Sequence, residues 1–241
     1  MAKLKRAVIL FVFLTAVVLV AVSIRFITRV KPVMADLNTL PIIVIDPGHG
    51  GMDGGAVDRS GEILEKDINL KISLMLRDFF VLNGFDVIMT RTTDMSIHDE
   101  GITSVRKQKT SDLNNRLKIA SADPNTIFIS IHQNKFTDRR SKGTQIFYSP
   151  NNPASEQYAK ILQDHFASML QPENQRKTKK AGKNLFLMHQ AKCPAVLVEC
   201  GFLSNSAEAE LLTDDEYQSK IAFVIFTSTI NLLELSETAL K

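Results

Sequence analysis

"IIVIDPGHGG", residues 42–51, decides how the rest of the chain is read. Ile42 to Ile45 form an unbroken apolar run, the pattern of a strand buried on both faces of a parallel sheet. The run stops at Asp46 and Pro47, and a knot of glycines then surrounds one histidine, His49. Such a strand calls for helices above and below it, so strands and helices should alternate along the chain. The glycine-rich turn has two competing uses: a loop cradling a phosphate, or a tight turn presenting a metal ligand.

Working outward, apolar runs place strands at 42–45, 86–90, 126–131, 144–148, 185–188 and 195–199. Helical stripes fit 65–82, 112–121, 155–170, 207–212 and 214–234. The alternation predicts an α/β fold: one domain with a mostly parallel, twisted, six-stranded sheet flanked by helices. Two connections are longer than usual, the polar 94–111 and the basic, breaker-rich 171–183. Long loops in compact domains tend to be functional or disordered.

Ahead of the domain, residues 7–24 run 18 residues without a charge, about one bilayer crossing. Lys3, Lys5 and Arg6 precede the run, which keeps the N-terminus in the cytoplasm and exports the remainder. A cleaved signal peptide is the rival reading, but its apolar core is usually shorter, roughly 7 to 15 residues. Residues 1–35 are therefore expected to be a membrane anchor or signal segment with a tether, and 36–241 the catalytic domain. All six basic residues before Asp36 belong to this first segment, which holds no acid, so the net charge of +3 conceals a remainder of 23 basic and 26 acidic side chains, or −3. Nothing in that balance points to a nucleic-acid partner. Cys193 and Cys200 are separated by mostly extended chain, too far apart to bridge.

Ligands of open α/β sheets bind beyond the carboxyl ends of the strands. Asp46 and His49 follow the first strand, His132 and Asn134 end "IFISIHQN", and Glu199 ends "AVLVE". One histidine in a turn is weak evidence; two at matching strand ends are stronger, because imidazole is the commonest metal-binding side chain. A third ligand comes from helical geometry. Glu65, Ile68, Ile72, Met75, Phe79 and Leu82 step by three and four, so Glu65 begins the inward stripe, while Asp67 is rotated about 200° away and Glu62 precedes the helix. Two histidines and a glutamate form a zinc set with an open fourth position, the arrangement of catalytic sites. Glu199, at the end of the face that carries Ala195 and Leu197, is the candidate general base. The phosphate-loop reading weakens, since "DPGHGGMDGG" lacks the lysine and the Ser/Thr of a P-loop. His98, His165 and His189 have no matching partners.

Taken in order, "DPGHGGMDGGA", "EKDINL", "SIHQN" and "VECGFLSN" resemble the signatures of the zinc-dependent N-acetylmuramoyl-L-alanine amidases of the amidase 3 type, over residues 42–235. The resemblance implies one catalytic Zn2+ on His49, Glu65 and His132, with Glu199 catalytic. It implies peptidoglycan as substrate, cut between the lactyl group of N-acetylmuramic acid and L-alanine. Asn134 is expected to orient the substrate or a ligand, and Asp46 either to orient a ligand or simply to form the turn. Within the family, "LEKDINL", the insertion before "LNNRLKIA" and the N-terminal segment are similar to the germination-specific spore-cortex amidases. That likeness implies an extracytoplasmic site between the forespore membranes and coupling to a muramic acid deacetylase that completes muramic-δ-lactam. An accessory sporulation lipoprotein is a further expected partner, and the long 94–111 loop is a candidate docking surface. Cys200 departs from the family pattern and sets a thiol next to the candidate base in sequence. A vegetative wall amidase, a zinc hydrolase of another amide and a tethered wall-binding protein without turnover remain alternatives.

Overall fold

The computed structural model describes residues 40–239, together with Arg6 and Thr15. The expected anchor or signal segment lies outside the described residues apart from those two. From Leu40 onward the chain forms one compact unit.

Six strands make one sheet: β1 (Ile42–Pro47), β2 (Val87–Met89), β3 (Thr126–Asn134), β4 (Gln145–Tyr148), β5 (Lys179–Lys180) and β6 (Ala195–Phe202), in the order β2-β1-β3-β6-β4-β5. Every pairing is parallel except β4 with β6. The helices are α1 (Glu65–Leu82), α2 (Val105–Ala120), α3 (Pro153–His165, continued by a π-helical turn over Phe166–Leu170), α4 (Phe186–Gln190), α5 (Ser206–Thr213) and α6 (Asp215–Ala239).

Strand parity sorts the core into two layers. Ile43, Ile45, Ile127, Ile129, Ile131, Val196 and Val198 pack with α1, α3 and α6 on one face. Val44, Phe128, Ala195 and Leu197 meet Ala120 of α2 and Leu187 and Met188 of α4 on the other. Helices therefore cover both faces, as the unbroken apolar strands require. The α6 helix is apolar and long enough to cross a bilayer, yet Ile221, Ala222, Val224, Ile225 and Leu232 lie in the first layer, so it is a core helix.

Three local readings change. Of residues 185–188, expected as a strand, Leu185 caps and 186–188 lie in the helix α4, which buries the adjacent Leu187 and Met188 instead of alternating; the outer strand is the two-residue β5. The polar link 94–111 is shortened, because α2 starts at Val105. On α1 the buried stripe runs through Ile68, Ile72, Leu76 and Phe80, in steps of four, and Leu82 is 83% exposed.

Beyond β1 the chain turns to one side to make β2 and later returns on the other side as β3. A crevice opens where strand order reverses in this way, outside the carboxyl ends of β1 and β3. His49 follows the first of these strands and His132 ends the second.

Candidate metal centre

The turn after β1 is built by close approach. His49 has φ 63° and is the one non-glycine residue at positive φ among the described residues. A Cβ at Gly48 would lie 2.3 Å from the His132 ring, and one at Gly55 would lie 2.6 Å from Glu65 Oε2 and from His49 Cδ2. These glycines are needed because imidazole and carboxylate pass where a side chain would stand.

Two buried arginines hold the carbonyls of the turn. Arg116 of α2 donates to Asp46, to the Pro47 carbonyl and to the His49 carbonyl at 2.7, 2.8 and 2.6 Å. Arg91 donates to the carbonyls of Pro47, Gly48 and Lys66. Asp46 also accepts from Thr90 and Ser130, each at 2.7 Å. Burial pushes the Asp46 carboxyl up, but Arg116 and the two hydroxyls outweigh it, and the net shift is downward. Asp46 and Arg116 form a fully buried ion pair, and the same guanidinium donates to the His49 carbonyl.

His49, Glu65 and His132 meet at the mouth of the crevice. Glu65 Oε1 lies 3.2 Å from His49 Nε2 and 2.8 Å from His132 Nδ1. One donor atom from each of the three lies within 4.8 Å of the others. Glu65 is fixed by the backbone: its Oε2 accepts from Ala56 N–H at 2.6 Å and its Oε1 from Gln133 N–H at 3.0 Å. In return the Glu65 N–H donates to the Ala56 carbonyl, which ties the start of α1 to the glycine loop. Burial raises the Glu65 carboxyl, but the two imidazoles dominate and the net shift is downward. Asp53 pairs with His49 Nδ1 at 3.1 Å and with Lys109 at 3.0 Å. Burial disfavours the charged imidazole, yet the hydrogen bonds it donates to Asp53 and Glu65 raise His49 to about 9. With Nδ1 taken by Asp53, Nε2 is the nitrogen left to face an ion, and that division of roles is usual for histidine ligands.

Glu199 stands opposite His132 in the β3–β6 register. Its Oε2 is buried without a hydrogen-bond partner, and burial pushes the carboxyl up to about 7. Cys200, the next residue, points to the other face and packs in the α1 layer. The thiol is therefore core packing and not a neighbour of the carboxylate within the crevice. Both cysteines are free.

The remaining expected residues are placed as follows. Asp67 and Glu62 are exposed. The Asn134 carbonyl accepts from Leu203 N–H, and its side chain is not among the groups that hold the three converging residues. His98 pairs with Ser96 and His165 with Ser228, and His189 lies on α4; none of them joins the cluster. Asp53, Arg91 and Arg116 were not singled out by sequence reasoning. The available signals were an acid four residues after the turn histidine and an arginine four residues after Asp112 on a helix.

Fold and cluster together define an open α/β protein carrying two imidazoles and one carboxylate at its switch point, a donor set suited to a catalytic divalent ion. The model of the N-acetylmuramoyl-L-alanine amidase family called Amidase_3 matches residues 43–231, and the chain belongs to that family. The germination-specific N-acetylmuramoyl-L-alanine amidase of Bacillus subtilis strain 168 is 39% identical over 185 residues, which span 77% of this chain and 76% of that protein. The structure of the CwlD amidase from Clostridioides difficile, in complex with the GerS lipoprotein, aligns with a TM-score of 0.78 at 37% identity, over 81% of this chain and 99% of that one. The catalytic domain of CwlV from Bacillus (Paenibacillus) polymyxa var. colistinus aligns with a TM-score of 0.68 at 28% identity, over 81% and 99% of the two chains.

Proposed function

We propose that this chain is a zinc-dependent amidase of spore-cortex peptidoglycan, cutting between the lactyl group of N-acetylmuramic acid and L-alanine. The observation that carries the reading is the convergence of His49, Glu65 and His132 with Glu199 beside them in register. The donor set fits zinc: His49 Nε2 and His132 Nδ1 both face Glu65 Oε1, and Asp53 holds the first imidazole in place. A bound zinc ion would polarise the lactyl carbonyl and acidify the attacking water. Glu199 takes the proton from that water and returns it to the amine of L-alanine as the carbon–nitrogen bond breaks. A buried carboxylate raised to about 7 suits both halves of this exchange, since a base works best near the operating pH.

Likeness to the germination-specific enzyme of Bacillus subtilis and to CwlD supports a role in the cortex, as the step before a deacetylase completes muramic-δ-lactam. The complex of CwlD with the GerS lipoprotein supports a lipoprotein partner. The uncharged N-terminal run supports an extracytoplasmic domain held at a membrane.

Glu199→Gln tests the mechanism. The variant should release stem peptide from sacculi at least about a hundredfold more slowly, within the usual range for a lost general base, while binding zinc as the wild type does. Mass spectrometry of the digest should show free L-alanine amino termini and intact N-acetyl groups. Wild-type rates in the variant would remove Glu199 from the reaction, and deacetylated sugars would assign a different amide.

A further inference from the structure

The basic stretch at 171–183 has no part in the chemistry above. It holds Arg176, Lys177, Lys179, Lys180 and Lys183 against one acid, Glu173. Glu173 is taken by Lys142 and Lys109 by Asp53, whereas Lys177, Lys179, Lys180 and Lys183 have no ion-pair partner among the described residues. All four are exposed.

The sheet places this stretch beside the candidate base. Gln145 of β4 stands opposite Glu199, which itself stands opposite His132, so the three occupy one level of the sheet. The buried Gln145 amide donates to the Lys177 carbonyl, and its oxygen lies 3.5 Å from Arg176 Nη1. Phe147, two residues on, packs in the same layer as α2 and α4, and Lys179 Nζ lies over its ring at 5.8 Å. Lys183 sits in the turn that leads into α4, whose Leu187 lines the crevice with His49 and His132. By register Lys179 thus stands at the sheet edge on the face that carries Glu199, two strands beyond the base, whereas Lys180 takes the opposite face.

We propose that this basic edge, through Lys177, Lys179 and Lys183, seats a carboxylate of the stem peptide on the leaving side of the scissile amide, a reading that rests on the amidase function proposed above. The spans agree. From β6 to β5 is two strand spacings, about 10 Å, which an extended peptide covers in about three residues. Beyond L-alanine the stem peptide is rich in carboxylates, and an unpaired ammonium group close to a low-dielectric crevice attracts one more strongly than a paired surface lysine does. A neutral glycan gives no reason for three unpaired cations there.

The test uses the zinc-loaded full chain and two muramoyl tripeptides, one with free carboxylates and one with those groups amidated. The wild type should favour the acid about tenfold in kcat/KM at low salt, mainly through KM, and the preference should shrink as salt screens it. A Lys177→Gln, Lys179→Gln, Lys183→Gln triple variant should lose that preference, and arginine at the same three positions should restore it. Lys160→Gln, on an exposed turn of α3, should retain it. A triple variant that keeps the wild-type preference, or that slows both substrates equally, overturns the proposal, as does a wild type that treats both alike. Altered binding of a phosphate-bearing wall polymer with the peptide preference intact also overturns it, in favour of that polymer. A wild type that releases peptide from neither substrate instead refutes the amidase reading itself.

Discussion

His49 is held in a left-handed conformation that costs a non-glycine residue about 1 to 3 kcal/mol. The cost is met around it: Arg116 and Arg91 bind the carbonyls of residues 47 to 49, and Asp53 binds the ring at Nδ1. Glu65 is held as firmly, by two backbone N–H groups. Asp53→Ala leaves the His49 backbone in place but frees the ring to turn and leaves Lys109 without its partner. Zinc affinity should fall about 10- to 100-fold, the usual effect of losing a histidine ligand's hydrogen-bond partner, as read by competition with a chromophoric chelator. Unchanged affinity would show that packing alone orients the ring. The chemistry-bearing residues were legible at this scale because imidazoles and carboxylates at strand ends stand out in a sequence. Asp53, Arg91 and Arg116 were not, because their partners are a neighbouring ring and backbone carbonyls, and neither leaves a pattern in the chain.

The helix α2 shows the same limit in a whole element. Its buried positions are Ser111, Asp112, Arg116 and Ala120, three of them polar, so no apolar stripe announces the first two turns and they read as loop. Its inner face is satisfied by ion pairs and hydrogen bonds: Asp112 accepts from Arg116, Ser96 and the Ile97 N–H. The α4 helix fails for the opposite reason, since four apolar residues in a row carry no period. The α2 helix also supplies Arg116 to the Asp46–Arg116 pair, which lies fully inside the protein at 2.7 Å. Asp46→Asn removes one partner from a buried pair and should cost about 3 kcal/mol or more. The folded carboxyl lies below its ordinary value, so its contribution is fully present above about pH 4 and is lost only as pH falls through the lower, folded value. Urea denaturation should therefore give the same gap between variant and wild type at pH 7 and pH 5, narrowing only below about 4. A gap that closes between pH 7 and 5 would mean that Asp46 titrates near neutrality and is not held by Arg116.

Taken whole, the molecule separates its stability from its metal site. Two apolar layers, one under α1, α3 and α6 and one under α2 and α4, close the sheet on both faces without help from His49, Glu65 or His132. The three candidate ligands gather at the carboxyl end of the sheet, His49 held by Asp53, Glu65 by two backbone N–H groups and His132 by its place in β3. That order of construction was legible, because unbroken apolar strands demanded two covered faces and strand ends marked the crevice; the reversal at β1 and β3 was not, since strand order depends on contacts far apart in sequence. It follows that removing the ion should leave the fold standing, unlike a zinc finger, where the metal supplies the folding free energy. Chelation should abolish peptide release while the far-ultraviolet circular dichroism stays that of the loaded protein. Binding at about a thousandfold excess over Kd adds roughly 4 kcal/mol, and for a domain of this size each kcal/mol is worth about 2 to 4 °C. The chelated protein should then melt about 10 °C lower, in one cooperative transition, and recover both melting temperature and activity when zinc is restored. Loss of helix and strand signal on chelation would mean that the site holds the sheet together, and that the hydrogen bonds around Glu65 and His49 do not preform it.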